Sequence, residues 1–143
     1  MKRVILVSML VTFVFLGACK SATPQPTMLE VVGKQVQISG GSFTDVSVTE
    51  LQTMLADKDF TFVNVHIPWE GNIAGTDLTI PYDQITQNLD KLPDKTAKIV
   101  LYCRSGRMSA LAAEALVSLG YTNVWNLSGG MAAWEQSGLT IEH

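Results

Sequence analysis

Short apolar runs alternate with amphipathic stretches along most of this chain. Runs rich in β-branched and aromatic residues predict buried strands at residues 60–65, 98–102 and 123–127, and a shorter extended piece is expected at residues 42–46. Runs of this length between turn signals are typical of strands that are covered on both faces. We therefore expect these segments to form the centre of one sheet.

The stretch after the first extended piece predicts a helix. Ser47 and Glu50 have the spacing of a capping box, in which each side chain bonds the other residue's backbone N–H. The apolar face that follows consists of Leu51, Met54 and Leu55. The first helix should therefore begin directly after Ser47 and pack on the sheet through that face.

Further helices are expected between and after the later strands. Pro81 opens a weaker helical stretch over residues 82–89, and the strongest helical pattern covers residues 109–119, with Gly120 as its stop. The apolar face of this strongest helix is assigned to Leu111, Ala112, Ala115, Leu116 and Leu119. A short last helix should begin at the Gly129–Gly130 pair and close at Gly138.

The alternation of strands and helices predicts an α/β fold with a mostly parallel central sheet and helices on both faces. In such sheets the ligand crevice lies beyond the carboxyl ends of the strands. Cys103 directly follows one of these ends, and His66 and Trp69 follow another. We therefore expect the functional site between these two strand ends.

The first residues predict export rather than folded structure. Lys2 and Arg3 precede an almost wholly apolar run of about 13 residues, shorter than the roughly 20 that a membrane-spanning helix needs. Small residues then precede Cys19, an ending that resembles the bacterial lipobox. This pattern predicts a lipoprotein signal peptide at residues 1–18, lipidation of Cys19 and a lipid-anchored protein of the bacterial cell envelope that faces the periplasm or the outside. The alternative is an ordinary exported protein that is cut nearby and carries Cys19 as a free thiol.

The remainder divides into a linker and one domain. Residues 19–28 contain Ser, Thr, Gln and two prolines with little to bury, which predicts a flexible linker, and residues 29–143 are long enough for one core. The formal net charge is −3 and becomes −5 without Lys2 and Arg3, which argues against a nucleic-acid partner. With Cys19 acylated, Cys103 is the only thiol left, and no intramolecular disulfide can form.

Residues 103–109 carry the clearest chemical signal. They place one thiol between a predicted strand and a predicted helix, where the unpaired backbone N–H groups and the helix dipole favour an anion. Two cations, Arg104 and Arg107, add to this effect and offer charge to an anionic substrate. The segment therefore predicts a reactive cysteine that is held as a thiolate.

Three segments together resemble one known family. Residues 103–106 with Ser109, residues 120–124 and residues 127–134 are similar to those of single-domain rhodaneses, the thiosulfate sulfurtransferase family, and the resemblance covers roughly residues 46–141. It implies a rhodanese-like three-layer fold and a Cys103 persulfide that carries a sulfane sulfur from a small anionic donor, such as thiosulfate, to a thiol or other thiophile. It implies neither a cofactor nor a metal. The substrate-binding loop would consist of Arg104, Ser105, Gly106, Arg107, Met108 and Ser109.

The chain departs from the family pattern near the site. Asn64 and His66 stand where the family often has Asp and Arg, Met108 stands where a loop arginine is usual, and Thr76 replaces a common histidine. We expect His66 to be a hydrogen-bonding surface residue, and two histidines in the chain do not predict a metal site.

The remaining expectations concern polar and aromatic residues around the site. Ser105 and Ser109 can either donate to the sulfur or bond only the neighbouring backbone, and the backbone role is favoured for Ser109. Trp134 is expected in the core, and Trp69 is expected to pack at an edge rather than line a pocket.

Two other functions are compatible with a cysteine in such a loop. A membrane-tethered binding or sulfur-carrier module would use the same fold with little turnover on small donors. A cysteine phosphatase would need an arginine six places after the nucleophile, and Ser109 stands there. The sequence therefore favours sulfur transfer, with the module as the alternative.

Overall fold

The computed structural model describes residues 31–143, which form one mixed sheet between two layers of helices. The six strands stand in the order β1-β2-β6-β5-β3-β4, and only the β1–β2 pair is antiparallel. Their bounds are Lys34–Ile38 (β1), Gly41–Val46 (β2), Thr61–Asn64 (β3), Leu78–Thr79 (β4), Ile99–Tyr102 (β5) and Val124–Leu127 (β6). The predicted α/β class, the mostly parallel sheet and the main strands are confirmed. The signal peptide, Cys19 and the linker lie outside the described residues.

Helices cover both faces of this sheet. Helix α2 (Arg107–Ser118) packs on one face, whereas α1 (Val48–Ala56) and α3 (Gly130–Gln136) contribute to the core on the other. The capping box at Ser47 is present, with the Glu50 carboxylate accepting from the Ser47 N–H at 2.8 Å. The three-layer arrangement is therefore the predicted one.

The stretch after Pro81 differs from the expected α-helix. It forms two 3₁₀ helices, Tyr82–Gln87 and Leu89–Lys91, of which only Ile85 is buried. A segment with so little apolar surface has little packing energy to stabilise longer α-helical turns, and short 3₁₀ pieces are common connectors.

Two strands were not predicted. Strand β1 joins β2 through a tight turn in which Gly40 adopts a φ of +91°, and β4 has only two residues within a segment that was expected to be a loop. Both are edge strands with exposed positions, so neither carries the apolar run by which the central strands are recognised.

Side-chain alternation along β5 sets the direction of the cysteine. Ile99, Leu101 and Cys103 face the core beneath α2, whereas Val100 and Tyr102 face the core beneath α1 and α3. Because strand side chains alternate, Cys103 extends toward α2.

The buried face of α2 is rotated from the predicted one. Leu111 and Leu119 are exposed, and α2 begins at Arg107 rather than at residue 109. The buried face consists of Ser109, Ala112, Ala113, Leu116 and Val117. The prediction was right for Ala112 and Leu116 and wrong for Leu111 and Leu119, because the helix is rotated so that Ser109, Ala113 and Val117 also face the sheet.

Within residues 31–143, no helix has both the length and the apolar composition to cross a bilayer.

Candidate active site

The Cys103 thiol lies beneath the N-terminal end of α2. It is a free thiol with 1% exposure, and its Sγ accepts a hydrogen bond from the Gly106 N–H at 3.1 Å. The Ser109 hydroxyl lies 3.4 Å from the same sulfur and 3.2 Å from the Gly106 carbonyl oxygen. The expectation that Ser109 bonds only the backbone was therefore wrong, because the rotation of α2 brings its hydroxyl to the sulfur.

The loop geometry depends on Gly106. This residue is the N-cap of α2 and has a φ of +89°, which non-glycine residues rarely adopt. It reverses the chain after β5 so that the start of α2 faces the sulfur, where the helix dipole and free N–H groups stabilise negative charge. The predicted placement of the cysteine between a strand and a helix start is confirmed.

Helix α3 holds the cysteine loop from the other side. The N–H groups of Met131 and Ala132 donate to the carbonyl oxygens of Cys103 and Arg104, each at 2.9 Å. A Cβ atom on Gly130 would lie 2.2 Å from the Cys103 oxygen, so this approach requires glycine. Sequence reasoning gave the Gly129–Gly130 pair only a helix-start role; two adjacent glycines were the available signal for close backbone packing.

The two arginines have different surroundings. The Arg104 Nη1 lies 2.5 Å from a Glu135 carboxylate oxygen, and its Nε lies 3.6 Å from a Glu70 oxygen. Arg107 is exposed at the start of α2 and forms no ion pair within the described part of the chain. Arg107 therefore has the freer charge for an incoming anion.

The other loop residues divide between solvent and core. Ser105 is exposed and has no hydrogen bond to the sulfur among residues 31–143, and Met108 is partly buried against the core beneath α2. The structure thus places Gly106 and Ser109 at the thiol, while Arg107 remains at the surface.

His66 is not the surface residue that was expected. Its exposure is 7%, and neither ring nitrogen has a hydrogen-bond partner within residues 31–143. The Nε2 lies 3.4 Å from a Glu70 carboxylate oxygen, a distance that counts as an ion pair only when the imidazole is protonated. The surface interpretation was wrong, because the imidazole is buried at the end of β3.

A neutral hydrogen-bond network orders that segment. The Asn64 Nδ2 donates to the Gly71 carbonyl and to the Asn72 Oδ1, both at 2.9 Å, and the Asn64 Oδ1 accepts from the His66 N–H at 2.9 Å. The two bonds that Asn64 donates require an amide, because a carboxylate at position 64 would have no N–H to donate.

Tyr102 extends the network on the same face. Its hydroxyl accepts from the Ile73 N–H at 3.0 Å and lies 2.6 Å from the Thr76 Oγ1. Burial raises the pKa of Tyr102, so the phenol stays neutral. Thr76, which stands where the family commonly has a histidine, is therefore part of the hydrogen-bond network around the Tyr102 hydroxyl.

The prediction for Trp134 is confirmed, whereas Trp69 is more exposed than the packing at an edge that was expected. Trp134 is buried in the core beneath α1 and α3, as expected. Trp69 is 52% exposed, and its Nε1 lies 3.4 Å from the Asn72 Oδ1, which places it on the surface of the segment after β3.

Among residues 31–143, no group of three His, Cys, Asp or Glu side chains is placed to hold a metal ion.

The sequence of this chain is similar to known rhodanese-like proteins. The rhodanese-like domain model matches residues 47–137. A sulfurtransferase of Allochromatium vinosum is 36% identical over 101 residues, which cover 68% of this chain and 92% of that protein.

Solved structures give the same result. A rhodanese-like domain protein from Staphylococcus aureus is 32% identical, with a TM-score of 0.58, and the match covers 69% of this chain and 98% of that one. A rhodanese-related protein from Thermoplasma volcanium is 27% identical, also with a TM-score of 0.58, and covers 68% of this chain and 95% of that one. The chain therefore belongs to the rhodanese-like domain family.

Proposed function

We propose that this protein is a rhodanese-type sulfurtransferase that carries a sulfane sulfur as a persulfide on Cys103. The observation that carries the proposal is the placement of the Cys103 sulfur, which accepts from the Gly106 N–H and lies within reach of the Ser109 hydroxyl. Such donors stabilise a thiolate before reaction and an anionic persulfide after it. Membership of the family and the sulfurtransferase relative support the same reaction class.

The reaction has two steps. The Cys103 thiolate attacks the outer sulfur of a donor such as thiosulfate; a sulfur–sulfur bond to Cys103 forms, the donor's own sulfur–sulfur bond breaks, and sulfite leaves with the bonding electron pair. A thiol or other thiophile then attacks the outer persulfide sulfur and restores the thiolate. Because the enzyme is covalently modified between the steps, we expect ping-pong kinetics with parallel double-reciprocal lines.

The decisive experiment is mass spectrometry of the full chain after incubation with thiosulfate. We expect an adduct of one sulfur atom on the peptide that contains Cys103, and none in Cys103→Ser. Cys19→Ser is the matched control and should retain the adduct. Absence of any adduct on Cys103 in the wild type would refute the proposal.

One observation favours a second function, a sulfur carrier or binding module with little turnover. The Cys103 side chain is 1% exposed, which restricts the access of donors and acceptors to its sulfur. A Cys103 adduct without repeated turnover on small thiophiles would support the carrier, whereas no adduct would support the binding module.

The cellular location is proposed from the first residues. The short apolar run followed by small residues and Cys19 supports a lipid anchor in the bacterial cell envelope. We expect bacteria that express the protein to incorporate labelled palmitate into the wild type and not into Cys19→Ser. Equal labelling of the two would refute the anchor, and the Cys103→Ser variant serves as the matched control.

A further inference from the structure

Four side chains next to the cysteine loop form a connected ionisable cluster, here called the rim cluster: His66, Glu70, Arg104 and Glu135. One Glu70 oxygen lies 3.4 Å from the His66 Nε2 and 3.6 Å from the Arg104 Nε, and Arg104 also pairs with Glu135. The cluster thus links the segment after β3, the cysteine loop and α3. Arg104 is the chain neighbour of the nucleophile, so this cluster contributes to the field that an incoming donor meets.

His66 is the unusual member of the rim cluster. Both of its ring nitrogens are enclosed and lack hydrogen-bond partners within residues 31–143, although burying a polar group without a partner is unfavourable. In the same part of the chain, Glu70 is the acidic group at ion-pair distance from the ring, and Arg104 and Glu135 are linked to the ring through Glu70. The ring is therefore placed to gain a partner on protonation.

The charge of His66 decides the charge of the rim cluster. With a neutral imidazole the cluster holds one cation and two carboxylates, a net charge of −1; with a cationic imidazole it is neutral. A cationic imidazole also attracts the Glu70 carboxylate that Arg104 otherwise shares. The two charge states of His66 therefore present different fields to an incoming anion.

We propose that His66 is a specificity-determining residue that acts through Glu70 and Arg104 on the charge of the sulfur donor that Cys103 accepts. The proposal rests on the proposed function. When His66 is protonated, the rim cluster repels a dianionic donor less and leaves more of the Arg104 charge available to it. A donor with two negative charges should respond to this change more than a donor with one.

The test compares two donors of different charge, thiosulfate and the monoanion methanethiosulfonate, at several pH values between about 5.5 and about 8. For the wild type we expect the KM for thiosulfate to rise about twofold across this range relative to the KM for the monoanion, because the change in charge acts on the donor through Glu70 and Arg104, two exposed side chains whose interactions water weakens. In His66→Gln the ratio of the two KM values should not change with pH. His66→Arg, a permanent cation, should keep the ratio low throughout.

Two controls separate the proposed role from a structural one. His143→Gln removes the other histidine and should keep the wild-type profile. In Glu70→Gln, an exposed position that folding should tolerate, adding His66→Gln should change the KM ratio no further, because the coupling passes through Glu70. Unchanged kcat in all these variants would distinguish positioning of charge from damage to the loop.

The inference is overturned if the wild type and His66→Gln share the same dependence of the KM ratio on pH, or if His66→Arg raises the ratio. A wild type that forms no Cys103 adduct with either donor refutes the proposed function, and this inference falls with it. An adduct with indistinguishable profiles refutes the inference alone.

Discussion

At the residue scale, the two arginines of the cysteine loop illustrate how surroundings decide what a charge can do. Both were equal candidates in sequence, but Arg104 is engaged by Glu70 and Glu135, and Arg107 has no ion-pair partner within residues 31–143. We expect Arg107→Ala to raise the KM for thiosulfate about fivefold, the effect of one partly solvated charge, with little change in kcat. Arg104→Ala is the matched comparison and should change the KM less. Steady-state kinetics that show the larger KM increase for Arg104→Ala would contradict this assignment.

Asn64 offers a test of the neutral network. In Asn64→Asp a carboxylate would face the Gly71 carbonyl and the Asn72 Oδ1, two acceptors, and we expect a loss of about 2 kcal/mol in the free energy of unfolding at neutral pH. Because a protonated Asp can donate one of these bonds, the deficit should shrink as the pH falls. Urea denaturation at several pH values measures both effects. Asn88→Asp, at a partly exposed residue, is the control, and an equal deficit in both variants would contradict the network's role.

At the scale of elements, α3 supports the active site through its first turn. Gly130→Ala would place a Cβ atom 2.2 Å from the Cys103 oxygen and would also strain a φ of +57°. We expect a stability loss of more than about 2 kcal/mol, together with slower persulfide formation, because the cysteine loop must move. Thermal or urea unfolding and single-turnover adduct formation provide the two measurements.

The matched control for Gly130→Ala is Gly138→Ala, at the end of the same helix. Gly138 has a φ of +80° but open space around the added Cβ, so the cost should be limited to backbone strain of about 1 kcal/mol. Persulfide formation should be unaffected in this variant. Equal effects of both substitutions on the reaction would show that α3 does not support the cysteine loop.

Helix α2 shows where prediction from sequence succeeds and where it fails. The existence of α2, its place after Cys103 and the capping box of α1 could be predicted because each depends on neighbouring residues. The rotation of α2 could not, because it depends on which side of the helix packs against core residues that several separate strands contribute. The support of the cysteine loop by Gly130 was missed for the same reason.

At the scale of the whole molecule, carboxylates with lowered pKa values link stability to pH. The backbone N–H of Ser47, the Ser47 hydroxyl and the Gly33 N–H lower the pKa of Glu50, and a hydrogen bond from Lys98 lowers the pKa of Asp59. A folded-state pKa below the unfolded one means that the native state binds protons less readily. The resulting stability is present above the unfolded pKa values, near 4, and is lost as the pH falls through the folded ones.

We therefore expect the free energy of unfolding to fall as the pH is lowered below about 4.5, where unfolded Glu and Asp begin to take up protons. Glu50→Gln should be less stable than the wild type at neutral pH and should lose less stability on acidification, because it no longer has the capping carboxylate. Glu114→Gln, at an exposed position of α2, is the control and should follow the wild-type curve. Urea denaturation between about pH 3 and about pH 7 measures the three curves, across the range in which these carboxyls titrate. Parallel curves for the wild type and Glu50→Gln would mean that protonation of the Glu50 carboxylate does not contribute to the loss of stability in acid. The acid sensitivity would then have to arise from Asp59 or other carboxylates.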